Sequence, residues 1–143
     1  MNEKIKIRRL RFSDIKKIKK LYNRSSDNLK KLFAPSILVS KLIYPLFCIA
    51  ILFHSNKIKV IIAEINREVV GFAYITKFRK KGFGMMTKEG YQGKGIGKKI
   101  LKEILKGEKG VYLSVDIENP AAINLYKKYG FSEIGRYIRM YRE

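Results

Sequence analysis

Two β-rich runs, "KVIIAEI" at 59–65 and "VVGFAYITKF" at 69–78, are separated by only Asn66, Arg67 and Glu68. Both are dense in β-branched and aromatic side chains, and so short a gap has the spacing of a hairpin. An antiparallel pair is therefore expected, and the rest of the chain has to be arranged around it. "KGFGMMT" at 81–87 adds a further candidate strand. Upstream, Ile5 and Ile7 alternate with charged neighbours in "KIKIRRLRF", the period of a half-buried strand.

Helical signals fill the intervals. Ser13 fits an N-cap with Asp14 in the first turn, and Ile15, Ile18, Leu21 and Tyr22 supply an apolar face. "YQGKGIGKKIL" runs into a helix on which Ile96, Ile100, Leu101, Ile104 and Leu105 share one side, punctuated by Gly107 and Gly110. "GVYLSVDI" at 110–117 reads as a buried strand. Asn119 and Pro120 then serve as N-cap and first residue of the helix "AAINLYKKY", with Gly130 as its C′ residue. "FSEIGRYIRMYRE" predicts two short β runs around Gly135. The fold class expected is mixed α/β (α+β), a mostly antiparallel sheet flanked by helices, with the parallel step between the strands that flank the glycine-turn helix.

With 143 residues, 46% of them hydrophobic, the chain is long enough for one core and too apolar for disorder, so a single domain over 1–143 is expected. Its atypical part is "ILVSKLIYPLFCIAILF" at 37–53, interrupted by Ser40, Lys41 and Pro45. A spanning helix needs about 20 apolar residues. This run is shorter and carries a charge and a helix breaker, so a buried helix and loop is the expected form. Membrane-surface or partner contact and a true span remain open alternatives. Cys48, alone of its kind, excludes an intramolecular disulfide and fits a reducing cytoplasm, and the basic N-terminus lacks the apolar core of a secretory signal. Localisation is expected to be cytoplasmic, with membrane association through 37–53 as the variant. His54 reads as a boundary residue of the apolar run, without a nearby orienting partner.

Lys and Arg number 32 against 12 Asp and Glu, a formal net charge of +20. Such a field attracts anions without choosing among nucleic acid, anionic lipid and phosphorylated ligands. The glycine turn narrows the choice. A dinucleotide fingerprint needs a third glycine where Lys98 stands, and a P-loop needs glycine at Gln92 and Ser or Thr at Lys99, so both fail. What survives is the physics both share: a strand, a glycine-rich turn, and a helix N-terminus whose free N–H groups face an anion, reinforced by Lys94, Lys98 and Lys99.

Gln92-Gly93-Lys94-Gly95-Ile96-Gly97, followed about twenty places later by "VDIENPAAINLYKKYGF", resembles the GCN5-related N-acetyltransferase (GNAT) family. That family carries Q/R-x-x-G-x-G/A at its acetyl-CoA pyrophosphate turn and N-x-x-A-x-x-L-Y-x-x-x-G-F downstream. "IRRLRFSDIKKI" is similar to its first strand and helix. Residues 25–57 are the unmatched stretch, and the general likeness is to the ribosomal-protein N-terminal acetyltransferases.

The resemblance implies acetyl-CoA as co-substrate, its pyrophosphate on the backbone N–H groups of Gln92, Gly93, Lys94, Gly95, Ile96, Gly97 and Lys98. It implies pairing of Met85, Met86 and Thr87 with the pantetheine arm, a cofactor contact at Asn119, and Tyr126 as general acid to the departing thiolate. No metal site is expected. A phenol with a pKa near 10 is a sensible donor to a thiolate of about 8.5. A plain core tyrosine is the structural alternative for Tyr126, as helix capping is for Asn119. Where family members often carry a glutamate base, five residues before Asn119, this chain has Ser114. Glu64 stands as the candidate base, with Glu89, Asp116 and Glu118 behind it. The expected activity is acetyl transfer by direct attack of a primary amine, on a protein N-terminus, a lysine or a small molecule. The alternative is a non-catalytic basic module on RNA, ribosomes or a membrane surface, in which "FRKKGF" and "RYIRMY" contact phosphates and stack on bases.

Overall fold

The computed structural model describes residues 4–27, 56–138, 140 and 142. The apolar run at 37–53 with Cys48, and His54, lie outside the described residues.

The expected hairpin forms from β2 (Ile58–Ile65) and β3 (Glu68–Lys77). Ile65 pairs with Glu68, so the turn is Asn66 and Arg67, both at positive φ (48° and 65°). Two left-handed residues give the turn a twist that matches the flanking strands. The register slips between Ala63 and Glu64, leaving Val70 as an extra residue whose carbonyl accepts from the Lys88 N–H at 2.8 Å. β4 (Lys81–Thr87) pairs antiparallel with β3, and β1 (Lys6–Arg9) antiparallel with β2. β5 (Val111–Tyr112) completes the order β1-β2-β3-β4-β5 and runs parallel to β4, the one parallel step and in the expected place.

Helix α2 (Ile96–Ile104) crosses between β4 and β5 and packs on one face of the sheet. Its Ile96, Ile100, Leu101 and Ile104 are fully buried against Ile61, Ala63, Val70, Ala73 and Ile75. Each such side chain contributes about 1.5–3 kcal/mol on burial. Close seating depends on Gly71, where a Cβ would meet Ile100 Cδ1 at 3.2 Å and the Met86 carbonyl at 3.0 Å. α1 (Asp14–Arg24) covers the opposite face with Leu21 against Val60, Ile62, Phe72, Tyr74 and Met86. Because β3 is covered on both faces, its sequence is a continuous apolar run rather than an alternation.

Three expectations are corrected. Ser13 has helical dihedrals and makes no side-chain cap bond; the Asp14 carboxylate turns back to the Arg11 N–H at 2.9 Å and to Arg8. The strand expected over 110–117 is only two residues long, and Tyr112 and Ile117 are exposed, because the chain leaves β4 after Tyr112. No strand forms among the described residues after Gly130, and Ile134, Tyr137, Ile138 and Met140 are all exposed. With no buried face and no ladder partner among the described residues, these apolar side chains have nothing to hold them as a strand.

Candidate functional site

β4 pairs with β5 only through Lys81 to Val111 and Gly82 to Tyr112. From Phe83 to Thr87, no strand pairs with that edge among the described residues, although all five positions remain paired with β3. The sheet is therefore split on one side of β4, with main-chain donors and acceptors along the split. Met86 is 3% exposed and sits in the α1-side core, while Met85 packs on the α2 side. Their side chains are committed, and the main chain of Met85, Met86 and Thr87 is what the split offers to a ligand.

β4 leads to the glycine turn. Gly93 and Gly95 have φ of 77° and 78°, with open space where a Cβ would point. Gly95 is the α2 N-cap and has no side chain to offer. The Lys99 N–H is bonded to the Gly95 carbonyl at 3.2 Å, so the N–H groups of Ile96, Gly97 and Lys98 precede the intrahelical ladder. No acidic residue occupies this first turn; Lys98 and Lys99 stand there instead. Cations at the positive end of a helix are unfavourable unless an anion joins them, and exposed Gln92, Lys94 and Lys98 leave the approach open. Gly97 has another task. Its Cβ would lie 3.0 Å from Leu125 Cδ2 and 3.4 Å from Met85 Cε, so it lets α2, β4 and the next helix meet.

Two tyrosines brace the turn. Tyr91 donates from its hydroxyl to Glu68 at 3.3 Å and lies under Lys94 Nζ, 4.6 Å from the ring centre. The Tyr129 hydroxyl donates to the Lys98 carbonyl at 2.9 Å, tying the end of α3 (Pro120–Lys128) to the start of α2.

Both ends of α3 follow their sequence signals. Asn119 Oδ1 accepts from the Ala122 N–H at 3.1 Å with Pro120 in the first turn, so the Asn119 side chain has a capping role. At the other end Gly130 (φ 86°) donates to the Lys127 carbonyl, and Phe131 N–H to the Tyr126 carbonyl, each at 3.1 Å. This paired cap fixes Tyr126 through its main chain. Its ring meets Phe83 edge-on at 5.9 Å and Phe131 at 5.8 Å. Phe83 is the first β4 residue past the last β5 pair, which puts Tyr126 at the split. The Tyr126 hydroxyl has no hydrogen-bond partner among the described residues, and burial, with Tyr74 second, pushes its pKa up to about 12.

Tyr74 reaches the same place from the opposite face. It pairs with Gly84, and a Cβ there would lie 2.5 Å from Tyr74 Cε1 and Cζ. Only glycine allows the phenol to lie across the strand.

The carboxylates are spoken for. Arg8 binds Glu64 at 2.6 Å and Asp14 through two bonds of 2.6 and 3.0 Å. Its guanidinium holds both acids below their ordinary range. A carboxylate so held is a weaker base, and the geometry gives Glu64 the task of fixing Arg8, β1 and α1 together. Glu89 accepts from the Ser26 N–H at 3.3 Å and from its hydroxyl. The Asp116 carboxylate accepts from the Glu118 N–H at 3.0 Å, and Glu118 is exposed. Ser114 is exposed as well. The sequence reading missed Tyr74, Gly84 and Tyr91; counting back from the β3–β4 hairpin would have paired the first two.

Residues 56–133, just over half of the chain, match the acetyltransferase (GNAT) domain family. Over 54 residues the chain is 46% identical to the N-alpha-acetyltransferase RimI of Mycobacterium tuberculosis, covering 36% of this chain and 34% of that protein. Over 93 residues it is 34% identical to an N-alpha-acetyltransferase of Sulfurisphaera tokodaii, covering 51% of this chain and 56% of the relative. The chain thus spans about a third to a little over half of these two relatives. Among solved structures, spermidine N-acetyltransferase from Vibrio cholerae, in complex with CoA and spermine, superposes with a TM-score of 0.76 at 21% identity. That match covers 96% of this chain and 86% of the other. A predicted acetyltransferase with acetyl-CoA from Clostridium acetobutylicum gives 0.69 at 19% identity, covering 96% of each. At these identities the structural likeness is one of fold.

Proposed function

The chain belongs to the acetyltransferase (GNAT) family, and on that premise we propose that it is an N-acetyltransferase that moves an acetyl group from acetyl-CoA to a primary amine by direct attack. The observation that carries this reading is the split beside β4 with the Tyr126 phenol, which has no hydrogen-bond partner among the described residues, at its mouth. The residues present fit acetyl-CoA. The pyrophosphate suits the acid-free start of α2, and the pantetheine amide groups suit the outer edge of Met85, Met86 and Thr87, which no strand among the described residues pairs with.

Acetyl-CoA supplies an activated acyl group: the amine nitrogen bonds to the carbonyl carbon, the carbon–sulfur bond breaks, and the ammonium proton is lost. This chain's residues bind and time those events. A main-chain N–H on the β4 edge polarises the carbonyl. With a pKa near 12, Tyr126 stays neutral until charge builds on the sulfur, then donates to it. Asn119 holds the start of α3 and so sets the orientation of Tyr126's helix. With Glu64 tied to Arg8, proton removal from the amine falls to water or to the acceptor's own environment. The acceptor class is a primary amine, which covers the N-terminal and polyamine substrates that the relatives' names describe.

Isothermal titration with acetyl-CoA tests the reading. Binding is expected for the wild-type protein, and Gly95→Val, which puts a β-branched residue at φ 78°, should weaken it at least about tenfold. A wild-type protein that takes up no acetyl-CoA removes the proposal.

A further inference from the structure

The two faces of the sheet each send one phenol to the split beside β4. Tyr126 arrives from the α2 and α3 side, packed on Phe83. Tyr74 belongs to the α1-side core, is 8% exposed, and lies over Gly84, the next residue along the strand. Tyr74 is near enough to push the Tyr126 pKa up, second to burial. A glycine at 84 is otherwise costly in a strand, since it adds backbone freedom and contributes no packing. Its presence is explained by the phenol that takes the volume of its missing side chain.

Resting on the acetyl-transfer reading, the stereochemistry separates the tasks of the two hydroxyls. The entering nitrogen approaches the carbonyl carbon from above the thioester plane and the leaving sulfur lies in that plane, so two hydroxyls in different places can serve the two groups. Tyr126 serves the sulfur from the α2 and α3 side, which leaves the α1 side for the acceptor.

We propose that Tyr74 is an acceptor-positioning residue, its hydroxyl laid over Gly84 at the open part of β4 to hold the incoming primary amine against the thioester. A phenol suits this task because it accepts a hydrogen bond from an amine N–H without adding charge that would hold the amine protonated.

The test compares wild type with Tyr74→Phe, which keeps the ring and its packing and removes only the oxygen. Spermidine and an alanine-led hexapeptide with a free α-amine serve as acceptors. The expected result is a KM for the acceptor raised about tenfold, the size of one hydrogen bond to substrate. The change in kcat should be much smaller, and acetyl-CoA affinity by calorimetry should be unchanged. Selectively labelled Tyr126, followed by NMR in the protein without ligand, should titrate at lower pH in the variant, because a neighbouring ionisable phenol has been removed. Gly84→Ala, which displaces the phenol, should raise KM in the same direction and add nothing in the Tyr74→Phe background. Unchanged KM for both acceptors in a folded Tyr74→Phe protein overturns the role of Tyr74 while leaving acetyl transfer standing. Absence of acetyl-CoA binding by the wild type overturns both.

Discussion

At its first two residues β4 is paired on both sides, with Lys77 and Thr76 of β3 and with Val111 and Tyr112 of β5. From Phe83 to Thr87 it is paired on the β3 side alone among the described residues. The closed end is held by charge: Glu108 takes Lys77 at 2.6 Å and Lys81 at 3.1 Å. At the open end stand Tyr126, Tyr74 over Gly84, and the glycine turn. The difference teaches how a seven-residue strand divides its work. Two positions anchor the crossover from α2, and five keep an outer edge that no strand pairs with among the described residues. A sheet paired along its full length would be more stable and would have no such place to bind.

Changes at the open end should be the most damaging to chemistry. Tyr126→Phe should reduce kcat about 100-fold or more, the lower range for losing a general acid, with acetyl-CoA affinity and thermal stability nearly unchanged. An equal kcat would make Tyr126 a core residue only. Gly97→Leu drives a branched side chain into Leu125 and Met85, where overpacking costs about 1–3 kcal/mol. It should lower the melting temperature and weaken acetyl-CoA binding together. A stable variant with intact binding would show that α2 and α3 can part without closing the split.

Changes at the closed end should reach stability and leave binding alone. Glu108→Gln removes the charge partner of two half-exposed lysines, a loss of about 1 kcal/mol in denaturant unfolding with no change in acetyl-CoA affinity. The smallest expected effect is the pH response of the same site. Hydrogen bonding to Lys77 holds the Glu108 carboxyl below its ordinary value. Its stabilisation is therefore complete above about pH 4.5 and is lost as the pH falls through the folded value. Glu108→Gln should flatten that acid limb. At the open end the sign reverses: Tyr126, raised to about 12, stays protonated in the fold at lower pH, so its contribution is complete below about pH 10 and is lost progressively as the pH rises from there through 12.

Much of this arrangement was legible in the sequence because its signals are local. The hairpin of β2 and β3 follows from two β-rich runs three residues apart, α2 from the spacing of Ile96, Ile100, Leu101 and Ile104, and the α3 caps from Asn119, Pro120 and Gly130. The parallel step followed from order alone. What was not legible depends on pairs distant in sequence. The Arg8 contact to Glu64 joins residues 56 positions apart and ties the candidate base to β1. "GVYLSVDI" is apolar enough for a longer strand, and its departure from β4 after Tyr112 carries no local signal. Ser13 makes no cap bond, and Asp14 beside it is held by Arg8, a residue on another element. Of three glycines read as one phosphate turn, Gly93 and Gly95 form the turn and Gly97 is a packing contact.

Asn66 and Arg67 also bear on the order in which the chain assembles. Their two-residue turn lets β2 and β3 close locally, on the microsecond scale of a hairpin, and β4 follows by a similarly short connection. β5 joins only after α2 has been laid down between Thr87 and Val111, and non-local parallel pairing of this kind is slow. During that interval the whole outer side of β4 is bare, the situation in which strands find the wrong partner. A small molecule able to lie along that strand is therefore expected to raise refolding yield.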